Sequence, residues 1–171
     1  MVNIGQMLVN FSNTYGYIIK MLTGGAYILG MLFIILGVIQ LKTYGEARTT
    51  MSHQSSLKLP ITYFLVGGIF VFLPTALDVM MLSTFGATTT PLEYAEISSS
   101  IVPDNIINAV LRIVQIVGLI AFLRGWIILV SAAKQGAQPM LGKALTHIIG
   151  GILAINVVGT KAVLSATFGI G

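Results

Sequence analysis

A chain of 171 residues that is 56% hydrophobic and only 8% charged, with a mean hydropathy of +0.94, cannot cover a water-soluble surface; soluble domains carry about 25% charged residues. The apolar surface calls for lipid, and the length allows one domain. The sequence has no cysteine, which excludes disulfides, zinc–thiolate sites and cysteine nucleophiles. Its net charge of +4 lies between apolar runs and forms no phosphate-binding or base-reading pattern, so no direct sequence-specific nucleic-acid binding is expected.

The N-terminal segment comes first. Residues 1–19 contain no Lys or Arg and so lack the positive region of a cleavable signal, which predicts an uncleaved or already mature start. Ile4, Leu8, Phe11, Tyr15 and Ile18 recur at helical spacing, while Asn3, Gln6, Asn10 and Asn13 fall on other faces. This pattern predicts an amphipathic interfacial helix over residues 1–20, with a frayed extension as the alternative.

Four apolar runs follow: about Met21 to Leu41, Ile61 to Leu82, about Ile107 to Ala133, and Ala144 to about Leu164. A span needs about 20 mostly apolar residues. Barrel strands would alternate, and these runs are continuous, so helices are expected. The predicted fold is an all-α membrane protein of four transmembrane helices in two tandem out–in–out hairpins, preceded by the interfacial helix. The hairpins cover residues 21–82 and 107–171, joined by an outer loop over 83–106.

Orientation follows from the loops. Lys42, Arg48 and Lys58 stand in the first loop against Glu46; Lys134 and Lys143 stand in the third with no acid; the second carries Glu93, Glu96 and Asp104 with no cation. Short basic loops stay cytoplasmic. The first and third loops are therefore placed inside, and the second loop and both termini outside, in the periplasm of a Gram-negative cell.

The halves resemble each other. Gly30 and Gly37 flank six residues in the first run, as Gly118 and Gly125 do in the third, and the pair Gly67-Gly68 matches Gly150-Gly151. A duplication of this kind predicts a parallel pseudo-repeat about the membrane normal. These eight glycines, together with Gly24 and Gly25, are candidates for helix packing. Small residues let membrane helices approach backbone to backbone, and some of these faces are expected to meet other subunits.

Three polar positions inside the runs are candidate partners. Arg124 sits about seven residues, or 10 Å, inside the third run by helical rise. A charge there costs about 2.5–3.5 kcal/mol on insertion scales, so a headgroup, a lipid phosphate or a neighbouring subunit is expected to offset it. Asp78, the one acid within a run, follows Pro74, whose ring can kink the helix. On straight helices its height differs from that of Arg124 by about 10–15 Å, which disfavours a direct pair. Asn156 lies deep enough to hydrogen-bond across helices. His147, near the start of the fourth run, lacks an oriented partner in sequence, and no HExxH, GxSxG or GxxxxGK[ST] pattern occurs, so no enzyme is expected.

The segments Leu41-Lys42-x-Tyr44-Gly45-Glu46-Ala47-Arg48, Phe72-Leu73-Pro74 and Ala144-Leu145-Thr146-His147-Ile148-Ile149-Gly150-Gly151 give the chain a resemblance to the DotE/IcmC family. These are inner-membrane components of Dot/Icm type IVB secretion systems, and TraQ of I-type conjugative plasmids is similar. The likeness covers nearly the whole chain, and the first half also resembles the shorter DotP/IcmD, which has one such hairpin. It implies a structural subunit of a machine that moves effector proteins or protein–DNA complexes, powered by separate ATPases. The partners implied are DotA-like, DotP-like and DotV-like membrane subunits, copies of the chain itself and membrane lipid. No cofactor is expected, a bound phospholipid being the one ligand that Arg124 suggests. A pilin-like subunit polymerising into a tube is the first alternative. A small solute transporter is the second, although its polar groups would have to converge near the midplane.

Overall fold

The computed structural model describes residues 4–49, 56–86, 104–135 and 138–169, and every element among them is an α-helix. In chain order these are α1 (Ile4–Thr49), α2 (Lys58–Val71), α3 (Leu73–Phe85), α4 (Asp104–Gln135), α5 (Gln138–Ile155) and α6 (Val157–Phe168). The outer loop lies almost wholly outside the described residues, as do the side chains of Ile4, Leu8, Phe11 and Asn13.

Proline placement explains the lengths. No proline precedes Pro60, so nothing halts α1, which runs for 46 residues. At 1.5 Å per residue it is about 69 Å long, more than twice a hydrocarbon core of about 30 Å. The element boundary expected near residue 20 is absent: the N-terminal segment and the first span are one continuous helix. α4 begins directly after Pro103 and runs 32 residues free of proline. Pro60 and Pro139 fall in the first turns of α2 and α5, where a missing N–H costs nothing.

The second and fourth runs are not straight spans. Between α2 and α3 the chain bends by 94°, and between α5 and α6 by 96°. The first break is at Phe72 (φ −105°, ψ 36°), whose N–H still reaches the Gly68 carbonyl at 3.0 Å. Pro74 accounts for it: in a continued helix its ring would strike the carbonyl of Phe70, and as the second residue of α3 it does not. The second break, at Asn156, has no proline and is made by side-chain chemistry described below. Two helices, Thr14–Thr49 and Ile107–Lys134, are long and apolar enough to cross a membrane, and the count rises to four if each bent pair is one span.

The chain packs as two units. One comprises Met1–Leu22, Pro74–Phe122 and Ile149–Gly171, with Ile19, Leu77, Met81, Leu119, Phe122 and Ile155 buried in it. The other comprises Thr23–Leu73 and Leu123–Ile148, with Ala26, Tyr63, Val66, Phe70, Val130 and Ala144 buried. In this second unit Phe33 of α1 sits edge-on to Phe70 of α2 at 5.7 Å and tilted to Tyr63 at 5.9 Å. Such pairs add about 0.5–1.5 kcal/mol beyond area burial.

Candidate functional site: glycine crossings and polar positions

Where α1 meets α2, Gly30 and Gly67 bring two backbones together. A Cβ on Gly30 would lie 2.8 Å from the Val71 nitrogen and 2.9 Å from the Gly67 carbonyl oxygen; one on Gly67 would lie 3.0 Å from the Gly30 carbonyl oxygen and 3.1 Å from the Ile34 nitrogen. Further along, Gly37 accepts the Phe64 ring, 3.3 Å from the same ideal position. Lipid offers no hydrophobic drive for helix association, so close van der Waals packing of this kind has to supply it.

The contact recurs where α4 meets α5. A Cβ on Gly118 would lie 2.8 Å from the Ile155 nitrogen, and one on Gly151 would lie 2.7 Å from the Phe122 nitrogen and 2.8 Å from the Gly118 carbonyl oxygen. Gly125 faces Ile148, with 2.7 Å to its side chain and 2.8 Å to its nitrogen. Gly30, Ile34 and Gly37 on the first helix thus correspond to Gly118, Phe122 and Gly125. On the second helix Phe64, Gly67 and Val71 correspond to Ile148, Gly151 and Ile155. One register relates each set, and it carries the break at Phe72 onto the break at Asn156.

That register corrects the sequence alignment by one residue. Gly67 is matched by Gly151, not by Gly150, and Gly68 and Gly150 have nothing within 4 Å of an added Cβ. Neighbouring residues point about 100° apart on a helix, so only one glycine of each pair can lie in the crossing. Gly24 and Gly25 also face open space. These four glycines make no close helix contact among the described residues.

The polar positions divide into those engaged locally and those left outward. Asn156 caps α6: its Oδ1 accepts the Gly159 N–H at 2.9 Å. Thr160 completes the break, its hydroxyl donating to the Leu153 carbonyl at 2.8 Å and lying 2.9 Å from that of Asn156. The Nδ1 of His147 lies 2.8 Å from the Lys143 carbonyl, one turn back on α5. Arg124 and Asp78 are both exposed, and neither has an ion pair or hydrogen bond among the described residues.

The cations of the first and third loops are mostly engaged with neighbours. Lys42 pairs with Glu46 at 3.7 Å, and Arg48 donates from Nε to the Tyr44 hydroxyl at 2.9 Å. Lys134 places its ammonium 5.6 Å from the Tyr63 ring centroid. Lys58 and Lys143 are exposed. Arg48 and Lys134 stand in the last turns of α1 and α4, where a cation meets the negative end of the helix dipole.

Sequence reasoning passed over one buried cluster. The Tyr15 hydroxyl of α1 donates to the Gln115 side-chain carbonyl of α4, and Gln115 is 1% exposed. The Arg112 guanidinium lies 5.5 Å from the Tyr15 ring centroid. The available signal was an amide inside the apolar stretch Ile113–Val117, a place where an unsatisfied polar group is costly. Among the described residues no group of three or more His, Asp or Glu side chains is placed to hold a metal ion. Comparison with family models, with curated proteins and with solved structures finds no match to any of them.

Proposed function

We propose that the chain is a non-catalytic subunit of the bacterial inner membrane that works by helix assembly, within a type IVB secretion or conjugation machine. The observation that supports the assembly role is the glycine crossing, built twice in one register, with further glycines left facing outward. Two of the polar groups in the runs are occupied with backbone: Asn156 caps a helix and His147 meets a carbonyl of its own turn. The kind of machine rests on the resemblance of the Leu41–Arg48, Phe72–Pro74 and Ala144–Gly151 motifs to DotE/IcmC proteins. Deleting the chain should abolish effector or DNA transfer without stopping solute uptake, measured side by side in one strain; normal transfer in the deletion removes this reading.

In this proposal each bent pair counts as one span, giving four. The breaks sit opposite Gly30 and Gly118, well inside α1 and α4, so the second and fourth spans change direction within the bilayer or at its outer face. Six cations, Lys42, Arg48, Lys58, Arg124, Lys134 and Lys143, fall in the unit of residues 23–73 and 123–148, against Glu46 alone. Applied to the short loops that carry Lys42, Arg48 and Lys58, and Lys134 and Lys143, the positive-inside rule gives a cytoplasmic side for those loops and the periplasm for both termini. Compartment reporters fused at Ser55 and at Thr90 should therefore read cytoplasm and periplasm respectively. A cytoplasmic reading at Thr90 inverts the topology.

A solute transporter is the second reading, and one observation favours it: two broken helices in corresponding positions of a repeat are the usual frame of a midplane binding site. Against it, the Asn156 side chain already fills the N-terminus of α6, and at the first break the corresponding residue is Phe72. Flux of labelled solutes into proteoliposomes separates the two readings.

A further inference from the structure

The exposed charges of the candidate spans do not all stand at the same kind of place. Lys58 opens α2, and Lys143 falls in the second turn of α5. Lys20 precedes the apolar run that starts at Met21 and follows Asn10, Asn13 and Thr14. Asp78 and Lys161 lie beyond the breaks, on arms of 13 and 12 residues that are too short to cross a bilayer alone. Arg124 is different. It is ten residues, or about 15 Å of rise, from the end of the straight apolar helix Ile107–Lys134, and no other charge lies between Arg112 and Lys134. It is exposed and has neither ion pair nor hydrogen bond among the described residues. That depth exceeds what one snorkelling side chain covers.

Arg124 also belongs to a seam. Val110, Ile113, Val117, Ile120, Arg124 and Ile127 follow one another along α4 at alternating steps of three and four residues, the spacing with which one helix meets another. Ile113 is half-buried and the other five are exposed, so no helix among the described residues covers this line. Lipid suits its apolar members and does not suit the guanidinium.

We propose that this seam docks a membrane-spanning helix of another subunit, which carries an aspartate or glutamate near its middle to face Arg124. The inference rests on the membrane reading above and adds the chemistry of the partner and the contacting residues. A guanidinium can hold a carboxylate through two parallel N–H···O bonds, which fixes register as well as sign. A second copy of this chain does not supply the acid. Of its five acids, Glu46 is paired with Lys42, and Glu93, Glu96 and Asp104 fall in the sequence between the hairpins. The fifth, Asp78, lies on the short arm after the 94° bend. A different subunit has to bring the carboxylate.

The one tryptophan, Trp126, stands two residues from Arg124 and serves as reporter. The chain in phosphatidylcholine vesicles is titrated with leucine–alanine membrane-spanning peptides that carry a dansyl group and one central Glu, Gln or Leu. Energy transfer from Trp126 should show the Glu peptide bound about tenfold or more tightly than the other two, the scale seen when a desolvated charge gains or loses its partner. Arg124→Leu should bind all three alike, and Arg124→Glu should prefer a peptide with a central Lys. Moving the Glu to the end of the peptide should remove the preference. Equal binding of the three peptides by the unaltered chain overturns the proposal, as does a Glu preference that survives in Arg124→Leu.

Cross-linking in native membranes supplies the second arm. A photoreactive residue placed at Ile120 or at Ile127 should join the chain to a different polypeptide, within a membrane span that holds an Asp or Glu near its middle, and Arg124→Leu should abolish that product. A product with lipid alone, with another copy of this chain or with a span that has no acid overturns the proposal; in the first case a lipid phosphate holds Arg124. Resistance to alkaline extraction is scored for every variant. Extraction of the unaltered chain would sink the membrane reading itself, whereas retained insertion with no preference for the acid sinks the docking alone.

Discussion

Gly151→Leu should separate the helices of the second hairpin and leave the chain inserted but loosely packed. Even an alanine Cβ at this position would lie within 2.8 Å of the Phe122 nitrogen and the Gly118 carbonyl oxygen. Both are backbone atoms of a continuous helix and cannot rotate away. Overpacking a fitted interior costs about 1–3 kcal/mol, and a leucine adds three more carbons to the first. The intrinsic helix gain on replacing glycine by alanine is about 1 kcal/mol, too small to reverse the sign. Gly67→Leu should act the same way on the first hairpin. Gly37→Ala should be milder, because its neighbour is the Phe64 ring, which can tilt by the few tenths of an ångström required. Gly68→Ala and Gly150→Ala, with open space at the added carbon, should leave monomer stability unchanged or slightly raised. Thermal unfolding in detergent orders the five variants. Equal loss at Gly150 and Gly151 would refute the assigned register.

The different fates of these glycines show what could be read before the fold was known. Composition and the continuity of the apolar runs identified apolar helices, because only helices and closed barrels satisfy the backbone in lipid and barrel strands would alternate. The i, i+7 spacing of Gly30 with Gly37 and of Gly118 with Gly125 marked the helix faces that do make the crossings. A glycine doublet carries no such phase. Gly67-Gly68 and Gly150-Gly151 can be aligned in two ways, and only a neighbour at 2.7 Å tells which member faces inward. Pro74 announced a disturbance of the second run, because its ring and missing N–H act through the chain itself. Asn156 announced nothing comparable: an asparagine in a helix interior is tolerated, and its capping role depends on Gly159 three residues on. The Tyr15–Gln115 pair, 100 residues apart, was out of reach of any local pattern. The continuity of α1 through residue 20 was missed for the opposite reason. A change of composition suggested a boundary where no breaker residue stands.

The breaks also alter how the charged residues are weighed. A straight second run put Asp78 and Arg124 at different heights and made each an isolated cost. With the chain bent by 94° at Phe72, Asp78 is exposed on the short helix α3, and Arg124 is exposed on α4. The crossings bury the inner faces of both hairpins, so exposed glycines and exposed charges alike look outward.

Removing the cap at the second break should straighten the fourth run or unfold its end. Two side chains and one glycine replace the backbone hydrogen bonds that the turn forfeits. The Asn156 amide accepts the Gly159 N–H, the Thr160 hydroxyl donates to the Leu153 carbonyl, and the bare Cα of Gly159 leaves room for the amide, whose atoms lie 2.6–2.9 Å from an added Cβ. In water, losing such a cap costs about 0.5–2 kcal/mol. In lipid each unsatisfied backbone group costs several kcal/mol, so the lowest-energy remedy is a continuous helix that pairs these groups internally. Asn156→Leu with Thr160→Val favours that outcome, and Gly159→Ala should act in the same direction by displacing the amide. Cysteines introduced at the exposed positions Leu145 and Val163 of the otherwise cysteine-free chain can carry spin labels across the break. By helical rise a straight helix sets them about 27 Å apart, whereas arms of about 16 and 10 Å meeting near a right angle bring them to about 20 Å. The unaltered break should give the shorter distance and the double variant the longer one. Equal distances would mean that the turn is imposed by packing around it, and that Asn156 and Thr160 merely decorate a bend made elsewhere.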